Sequence, residues 1–581
     1  MKNLFLGIDI GGTWIKGAAI SIDDYWRLKS NNPSVRLDQI IAKVEKTASP
    51  FSEKTSIEDF IKAISLLAEK VNPENIPFSG IGISSSGIIN YHGTRIEKSM
   101  ENLNLLKKGD WKGLLESHYT CPVTIINDND AASIGMAELS YLQGFSTIGV
   151  MTIGTGLGFS VWRNGRRWRP GGRFPLLGSI YTPEGSFNDI ASASKLSGLH
   201  KDRDLAEVLS NPAYAAEREK YFKNLAGLIT TATIIYSLDE VCLSGGLIDA
   251  TLSVNLDIKG EILPYLAKTP PELDHPCKIS IIKEGNLLQL LGALSLIIGE
   301  YVAQKYKQLP EYNEITTESP YNQHLLLHQF KAEKIVHVLF DAENEAGEDL
   351  KNSITKIART AERIASTLGN GGRLIYVGSG TSGRIAAMDA LEIPCTYGLP
   401  KDKIITLIAG GVADAAIDIE SNFEEDASSI PEMLLLNISD RDMVIGISAS
   451  GSAYFVQSAL SYAKFRGAYT VMIQNSIPIH PPTFCHTIIP FYSGSEVVAG
   501  STRMKAGTAT KKILNFMTTT AMILNGEVIG PYMTGLACIN NKLISRAQSI
   551  LKELYNLPEE ESLKLLKENQ YELKKVLGKL G

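Results

Sequence analysis

The chain has 581 residues, more than one hydrophobic core ordinarily supports, so two large domains are expected, or three with a small one. Its 63 acidic against 57 basic residues, a net charge of -6, give no electrostatic footing for nucleic acid or an anionic membrane and leave small-molecule chemistry as the default. No uncharged apolar run reaches the roughly 20 residues of a membrane-crossing helix, and Met1-Lys-Asn leads too quickly through Leu4 to Ile8 into Asp9 to be a signal peptide. A cytosolic location is expected. Cys121, Cys242, Cys277, Cys395, Cys485 and Cys538 lack CxxC or zinc-ligand spacing, which predicts reduced thiols and no metal site.

As far as about residue 300, β-rich apolar runs that end in glycine alternate with helix-period segments. The first run leads into Gly7-Ile-Asp-Ile-Gly-Gly-Thr13, which sets an acid between a strand and a glycine turn. Glycines let backbone amides approach a phosphate and such a carboxylate can hold hydrated Mg²⁺, although a plain hairpin with an exposed Asp gives the same pattern. Ser56 to Val71 predicts an amphipathic helix, because Ile57, Phe60, Ile61, Ile64, Leu67 and Val71 share one face and Ser56 can cap its start. Ile125-Ile-Asn-Asp-Asn-Asp-Ala-Ala132 predicts a strand that ends in an acid cluster where a helix begins. Thr152-Ile-Gly-Thr-Gly-Leu-Gly158 then repeats the strand-to-glycine logic, as two related lobes clamping one triphosphate would require. Arg163-Asn-Gly-Arg-Arg-Trp-Arg169 with Arg173 places five arginines within eleven residues. An exposed hairpin explains them; so does a partner for an acidic sugar substituent, since guanidinium matches a carboxylate in a bidentate fork. Val241-Cys-Leu-Ser-Gly-Gly-Leu247 is a third glycine site and suits an adenosine pocket.

Lys305 to Pro320 is polar, holds two prolines and lacks periodicity, which marks a linker. Beyond it, helical segments from Lys331 to Leu368 precede strands at Leu374–Val377, Ile404–Ile408, Met443–Ile447, Tyr469–Ile473 and Thr487–Pro490. Strands alternating with helices predict a parallel sheet covered on both faces. The first strand empties into Gly378-Ser-Gly-Thr-Ser-Gly-Arg384, where small residues let the backbone close round a phosphate and helix N-terminal amides favour its charge. Ser379, Thr381 and Ser382 there, and Ser448, Ser450 and Ser452 around Gly451, are hydroxyl-rich candidates for phosphate contact, although serine-rich turns also serve as structural punctuation. Near the C-terminus Leu543, Ile544, Ala547, Ile550, Leu551 and Leu554 form a helical stripe that Leu557-Pro558 breaks before a second, charge-rich segment. This tail reads as a small packing module.

The loop at Gly378, with Asp389-Ala-Leu-Glu-Ile-Pro-Cys-Thr-Tyr-Gly398 and Gly500-Ser-Thr-Arg-Met-Lys-Ala-Gly-Thr-Ala509, closely resembles the N-acetylmuramic acid 6-phosphate etherases, which have a sugar-isomerase (SIS) fold. The likeness runs from about Thr316 to the C-terminus. It implies ring opening, removal of the acidified C2 proton, loss of D-lactate from C3 and addition of water, which needs an acid and a base in different environments. Glu392 aligns with the family's catalytic acid. The base falls in Phe423-Glu-Glu-Asp426, where Glu425 is favoured because Glu-Asp matches the family's pair, with Glu424 beside it and a solvated acidic helix face as the plain reading. The spacing from Gly411 to this pair is longer than the family's. Arg503 and Lys505 offer charges for the phosphate or the lactyl carboxylate, and Glu496 is a candidate for substrate positioning.

In the N-terminal half, the order and spacing of the four signals resemble the ROK group of sugar kinases in the actin-like ATPase superfamily, over about Met1 to Ala303. The resemblance implies a two-lobed, ribonuclease H-like fold that uses ATP and Mg²⁺. Asp128 aligns with the catalytic base, for which an N-cap carboxylate is the plain alternative. Asp9 would orient Mg²⁺ indirectly; Gly11, Gly12, Thr13, Gly154, Thr155 and Gly156 would contact phosphates; Gly245 and Gly246 would line the nucleotide site. Asn102 stands where the group has a sugar-contacting Asn. The group's Glu-x-Gly-His motif appears as Leu176-Leu-Gly-Ser179 and its cysteine-rich zinc motif is absent, which speaks against ordinary glucose recognition.

The expected fold class is α/β throughout: a two-lobed actin-like kinase at 1–304, a linker at 305–316, a SIS-type parallel domain at 317–535 and a helical module at 536–581. One half makes a sugar 6-phosphate and the other consumes one. The expectation is therefore a bifunctional enzyme that phosphorylates N-acetylmuramic acid at O6 and cleaves the product to N-acetylglucosamine 6-phosphate and D-lactate. N-acetylglucosamine or glucose stays open as the kinase acceptor. The partners expected are small amino sugars and a second copy of the chain, at least a homodimer, with no nucleic acid and no membrane. Two rivals stand beside it. A kinase fused to a non-catalytic sugar-phosphate sensor has no need of Glu392 with a second glutamate, and an aldose-ketose isomerase half leaves the Gly500–Ala509 stretch unexplained.

Overall fold

The computed structural model describes the chain apart from residues 1–2, 12–13, 32–40, 42, 51–55, 90–95, 99–109, 140, 143–146, 164–165, 169–176, 199–203, 267–276, 284, 286, 306–318, 320, 323, 412–427, 476–481, 536–537, 539 and 581. It divides into two compact units, one of Met1–Tyr301 with Ile430–Asn437 and one of Val302–Ser429 with Ile438–Gly581.

The first unit contains two five-stranded sheets of the same plan. Strands β1 (Leu4–Ile10), β2 (Trp14–Ser21), β3 (Val44–Ala48), β4 (Phe78–Ser85) and β5 (Val123–Asn127) lie in the order β3-β2-β1-β4-β5. Strands β6 (Thr147–Ile153), β7 (Leu157–Arg163), β8 (Arg166–Trp168), β9 (Glu240–Ser244) and β10 (Lys278–Ile281) lie in the order β8-β7-β6-β9-β10. In each sheet the first strand pairs antiparallel with the second and parallel with the fourth. The parallel strands therefore end at one edge of each sheet, and all four chemical signals of this half sit at those edges.

Packing explains the sequence here. Helix α1 (Ile57–Val71) starts with a reciprocal cap, Asp59 N–H to Ser56 Oγ at 3.1 Å and Ser56 N–H to Asp59 Oδ2 at 3.1 Å. It buries Phe60, Ile64, Leu67, Ala68 and Val71, the face expected from its spacing. Helix α2 (Asp128–Glu138) follows β5, and α3 (Ala215–Tyr236) buries Tyr221, Phe222, Leu225, Leu228 and Ile229 in the core of the second sheet. Helix α4 (Leu288–Lys305) lies so close to β4 that a Cβ on Gly82 would stand 2.1 Å from the Ala293 carbonyl oxygen. That approach requires glycine.

The second unit opens with α5 (Ala332–Asp349) and α6 (Ile354–Gly369). Strands β11 (Leu374–Gly378), β12 (Ile404–Ile408), β13 (Met443–Ile447), β14 (Tyr469–Gln474) and β15 (Thr487–Pro490) form a wholly parallel sheet in the order β12-β11-β13-β14-β15. Helices α7 (Gly380–Tyr397), α8 (Tyr454–Phe465) and α9 (Lys505–Leu524) belong to the same unit. The strand order reverses between β11 and β13, and in open parallel sheets ligands bind at such a switch point. The tail forms three helices, α10 (Asn541–Tyr555), α11 (Glu559–Glu568) and α12 (Leu573–Leu580), around Ala547, Ile550, Leu551, Leu566, Leu573 and Val576. The charge-rich segment splits in two because Gln570 and Tyr571 adopt φ of +57° and +60°, a left-handed reversal that ends α11. Among the described residues no helix is long and apolar enough to cross a membrane.

Candidate active sites

In the first unit Asp9 lies near the end of β1, in register with Lys16 on β2 and Ser84 on β4. Ser84 Oγ donates to Asp9 Oδ1 at 3.0 Å, and Lys16 Nζ stands 4.0 Å from Oδ2. Asp128 begins α2, immediately past β5. The capping role falls to Asn127, whose Oδ1 accepts from the Asn129 and Asp130 amides at 3.0 and 3.3 Å. Asp128 Oδ1 accepts the Asn129 amide at 2.8 Å. Burial and the negative charge of Asp9 push the Asp128 carboxyl up to about 6, and burial raises Asp9 against the pull of Lys16 and Ser84. Two acids that repel each other in a desolvated corner suit a base near neutrality with a cation beside it. Among the described residues no cluster of three or more His, Cys, Asp or Glu side chains could cage a metal. The Asp9 carboxylate is of the kind that can hold hydrated Mg²⁺.

The glycine loop between β6 and β7 closes through Gly154 N–H to Gly156 O at 3.0 Å, and is braced by Ala193 N–H to Gly154 O at 2.9 Å and Ser194 Oγ to Thr155 O at 2.7 Å. A Cβ on Gly154 or Gly246 would meet nothing within 4 Å, so both border open space. Gly245 is different: its φ is +100° and a Cβ would come within 2.8 Å of the Ile153 carbonyl oxygen. Its loop follows β9, which pairs Ser244 with Thr152 of β6, so the two loops are neighbours. Gly11 holds its own turn through N–H to Trp14 O at 3.0 Å. Gly12, Thr13, Asn102, Arg169 and Arg173 lie outside the described residues. Arg166 and Arg167 belong to β8, which forms a hairpin with β7, while Arg163 is exposed and donates to the Tyr236 carbonyl at 3.2 Å. Sequence reasoning missed Ser84, Lys16 and Asn127; strand register brings the first two to Asp9, and register is not visible along a single strand.

In the second unit the loops after β11 and β13 start side by side, because Gly378 pairs with Ile447. The first turns so tightly that a Cβ on Gly378 would be 2.7 Å from Gly383 Cα. Ser379 is buried there, with Thr381 and Ser382 partly exposed at the start of α7. In the second loop Gly451 donates to Ser448 Oγ at 3.1 Å, Ser450 and Ser452 hydroxyls are 2.7 Å apart, and Gln457 Nε2 holds Gly451 O at 3.0 Å. The structure thus brings the six hydroxyls of the two loops to the switch point. Glu392 is exposed on α7, and Glu424 and Glu425 lie outside the described residues. Arg503 is exposed, whereas Lys505 is buried, with Nζ 3.2 Å from Ser495 O and 5.1 Å from the centre of the Tyr321 ring. Glu496 is wholly buried, and its two oxygens accept the Lys505 and Ala506 amides at 3.1 and 3.0 Å. It therefore caps the start of α9.

The ROK family profile matches residues 5–180, and that of the glucokinase regulatory protein N-terminal SIS domain matches residues 356–464. The chain is 35% identical over 261 residues to N-acetylmuramic acid 6-phosphate etherase 2 of Bacillus licheniformis, which covers 45% of this chain and 88% of that protein. The chain belongs to the N-acetylmuramic acid 6-phosphate etherase family. A Picosynechococcus etherase is 36% identical over 267 residues, 45% of this chain and 87% of its own length. A ROK family glucokinase from Streptomyces griseus, solved with glucose and AMPPNP, covers 51% of this chain and 99% of its own at 18% identity and a TM-score of 0.39. The chain thus carries a ROK family domain at the N-terminus and a SIS domain beyond it.

Proposed function

We propose that the chain is a bifunctional sugar-recycling enzyme: ATP phosphorylates N-acetylmuramic acid at O6, and the etherase half cleaves the product to N-acetylglucosamine 6-phosphate and D-lactate. The observation that carries this reading is the membership of the etherase family in a chain whose N-terminal part matches the ROK family. The etherase needs a 6-phosphate, and the kinase is placed to supply it. We assign the kinase to 1–304, the linker to 305–316, the etherase to 317–535 and the helical module to 536–581.

In the kinase reaction Asp128 takes the proton from the sugar hydroxyl as its oxygen attacks the γ-phosphate of ATP. Asp9 would hold hydrated Mg²⁺, which would neutralise charge on the phosphates. The glycine loops at Gly11–Thr13 and Gly154–Gly156 hold the phosphates, Gly245 and Gly246 border the adenosine, Asn102 contacts the sugar, and the arginines from Arg163 to Arg173 meet the lactyl carboxylate.

In the etherase reaction the opened aldehyde acidifies C2. Glu425, or its neighbour Glu424, removes the C2 proton to leave an enolate stabilised by the aldehyde; its electron pair then forms the C2–C3 double bond as the C3–O bond breaks and Glu392 protonates the departing lactate oxygen. Water then adds at C3. Ser379, Thr381, Ser382, Ser448, Ser450 and Ser452 hold the phosphate, and Arg503 and Lys505 balance its charge or that of the lactyl group, with Glu496 fixing their helix. Met388, Leu391 and Phe516, all largely exposed on α7 and α9, are the side chains we assign to a homodimer contact.

A second reading, a sugar kinase fused to a non-catalytic sugar-phosphate-sensing SIS regulator, draws on the regulatory-protein profile match but leaves Glu392 without a task. Incubation of the purified protein with ATP, Mg²⁺ and N-acetylmuramic acid, assayed for D-lactate, separates the two. ATP-dependent D-lactate supports the bifunctional enzyme. Phosphorylation with no lactate, even from sugar phosphorylated beforehand, supports the sensor. Lactate from the phosphorylated sugar alone would mean that the acceptor is a different sugar.

A further inference from the structure

Asp389 precedes Glu392 by three residues on α7, yet it is 3% exposed whereas Glu392 lies on the exposed side. Its carboxylate joins three elements. The Tyr376 hydroxyl of β11 donates to Oδ2 at 2.9 Å, and from α9 the Thr518 hydroxyl and the Asn515 amide donate to Oδ1 at 3.2 and 3.4 Å. Tyr376 is itself fully buried. An Asn in this position could meet Thr518 and Asn515 with its oxygen and the Tyr376 oxygen with its NH₂ group, without placing a charge out of water. Of the charged groups facing Asp389, Lys511 on α9 favours its charge and Glu392 on its own helix opposes it; burial outweighs both and raises the carboxyl to about 6. An acid is thus held in a desolvated site one helical turn from Glu392, where an Asn would avoid the charge but reverse the Tyr376 contact and leave that buried hydroxyl proton without its acceptor.

We propose that Asp389 is a positioning residue of the etherase half: it ties the turn of α7 that presents Glu392 to β11 and α9, and its negative charge stands beside the proton that Glu392 delivers to the lactate oxygen. This rests on the role proposed for Glu392. Both are tested in the full-length protein with N-acetylmuramic acid 6-phosphate as substrate, so that the kinase plays no part. Asp389→Asn should lower kcat for lactate release by about tenfold or more with KM within about threefold, and move the alkaline limb of its pH profile to lower pH. Its thermal midpoint should fall less with rising pH than that of the wild type, because a buried charge has been removed.

Tyr376→Phe keeps the charge and removes one donor. It should lower kcat severalfold and leave the alkaline limb in place, and it decides the matter if Asp389→Asn does not fold: a wild-type kcat there overturns the inference. A wild-type kcat and pH profile in Asp389→Asn overturns it directly, since Asp389 would then be an interchangeable acceptor. Glu392→Gln separates the two claims. If it releases lactate normally, the reading of Glu392 fails; if it is inactive while Asp389→Asn is normal, only the role of Asp389 fails.

Discussion

Asp128→Asn should abolish phosphorylation while making the kinase unit more stable on the alkaline side. Burial and Asp9 raise the Asp128 carboxyl from 3.8 to about 6. At about 1.4 kcal/mol for each pH unit, the ionised side chain costs the fold on the order of 3 kcal/mol, an upper figure because the group is partly exposed. The folded value lies above the unfolded one, so the fold binds this proton more tightly. The cost is absent below the unfolded value of 3.8 and complete once the pH has risen past about 6. Asn has no proton to lose. The substitution should thus raise the thermal midpoint by a few degrees at mildly alkaline pH, given about 2 °C per kcal/mol for a unit of this size, and the gain should vanish in acid. Phosphorylation of N-acetylmuramic acid, followed by ADP release, should fall by about 10²–10⁴, the usual loss for a positioned base. Lactate release from N-acetylmuramic acid 6-phosphate should be unchanged. Retention of more than about a tenth of the phosphorylation rate would refute the role of Asp128. A midpoint that falls with activity at alkaline pH would refute the electrostatic account and point to a structural carboxylate.

Glu392→Gln should stop lactate release and let N-acetylmuramic acid 6-phosphate accumulate while exchanging the C2 proton with solvent deuterium, because a glutamine cannot protonate the leaving oxygen. Glu425→Gln should block both exchange and release; normal exchange there with none in Glu424→Gln would move the base by one residue, and full lactate release in both would place the base elsewhere. Chelating Mg²⁺ should end phosphorylation and leave lactate release from the phosphorylated sugar intact, so a parallel loss would mean that the etherase half also uses the ion. Charge-removing substitutions from Arg163 to Arg173 should lower kcat/KM for N-acetylmuramic acid more than for N-acetylglucosamine; equal losses would rule out pairing with the lactyl carboxylate. The protein should sediment as at least a homodimer, and Leu391→Asp should weaken that association, whereas a monomer releasing lactate at full rate would exclude it.

Local features of both halves were legible in the sequence, and non-local ones were not. The sheet of the second unit follows its apolar runs closely: Leu374–Val377 is the strand Leu374–Gly378, and Tyr469–Ile473 is Tyr469–Gln474. Strands covered on both faces need continuous apolar sequence, and that needs no knowledge of the partner strand. The hydroxyl and glycine loops were legible for the same reason, since a cradle is built from consecutive small residues. The left-handed reversal at Gln570 and Tyr571 was not, because neither residue type announces a positive φ. Nor was the work of Glu496, whose amide partners begin a helix nine and ten residues later. Asp389 is the extreme case: its donors are 13, 126 and 129 residues away, and only the packing of β11 and α9 against α7 discloses them.

The two halves place phosphate chemistry at the carboxyl edge of parallel strands but manage charge in opposite ways. At the first edge two acids that repel each other stand together, Asp9 and Asp128, and burial raises both. Bringing a triphosphate to that edge would add further negative charge, so the arrangement favours a cation between the acids and the phosphates. At the second edge the loops present neutral hydroxyls and the start of α7, a setting that suits a phosphate dianion through dipoles. On α7 itself Asp389 is buried and Glu392 is exposed farther along the helix. That separation suits a reaction in which the phosphate is an inert handle while the bonds that change are at C2 and C3. The same demand, an acid with its proton beside an anionic substrate, fits the charge we place at Asp389, buried one helical turn from Glu392.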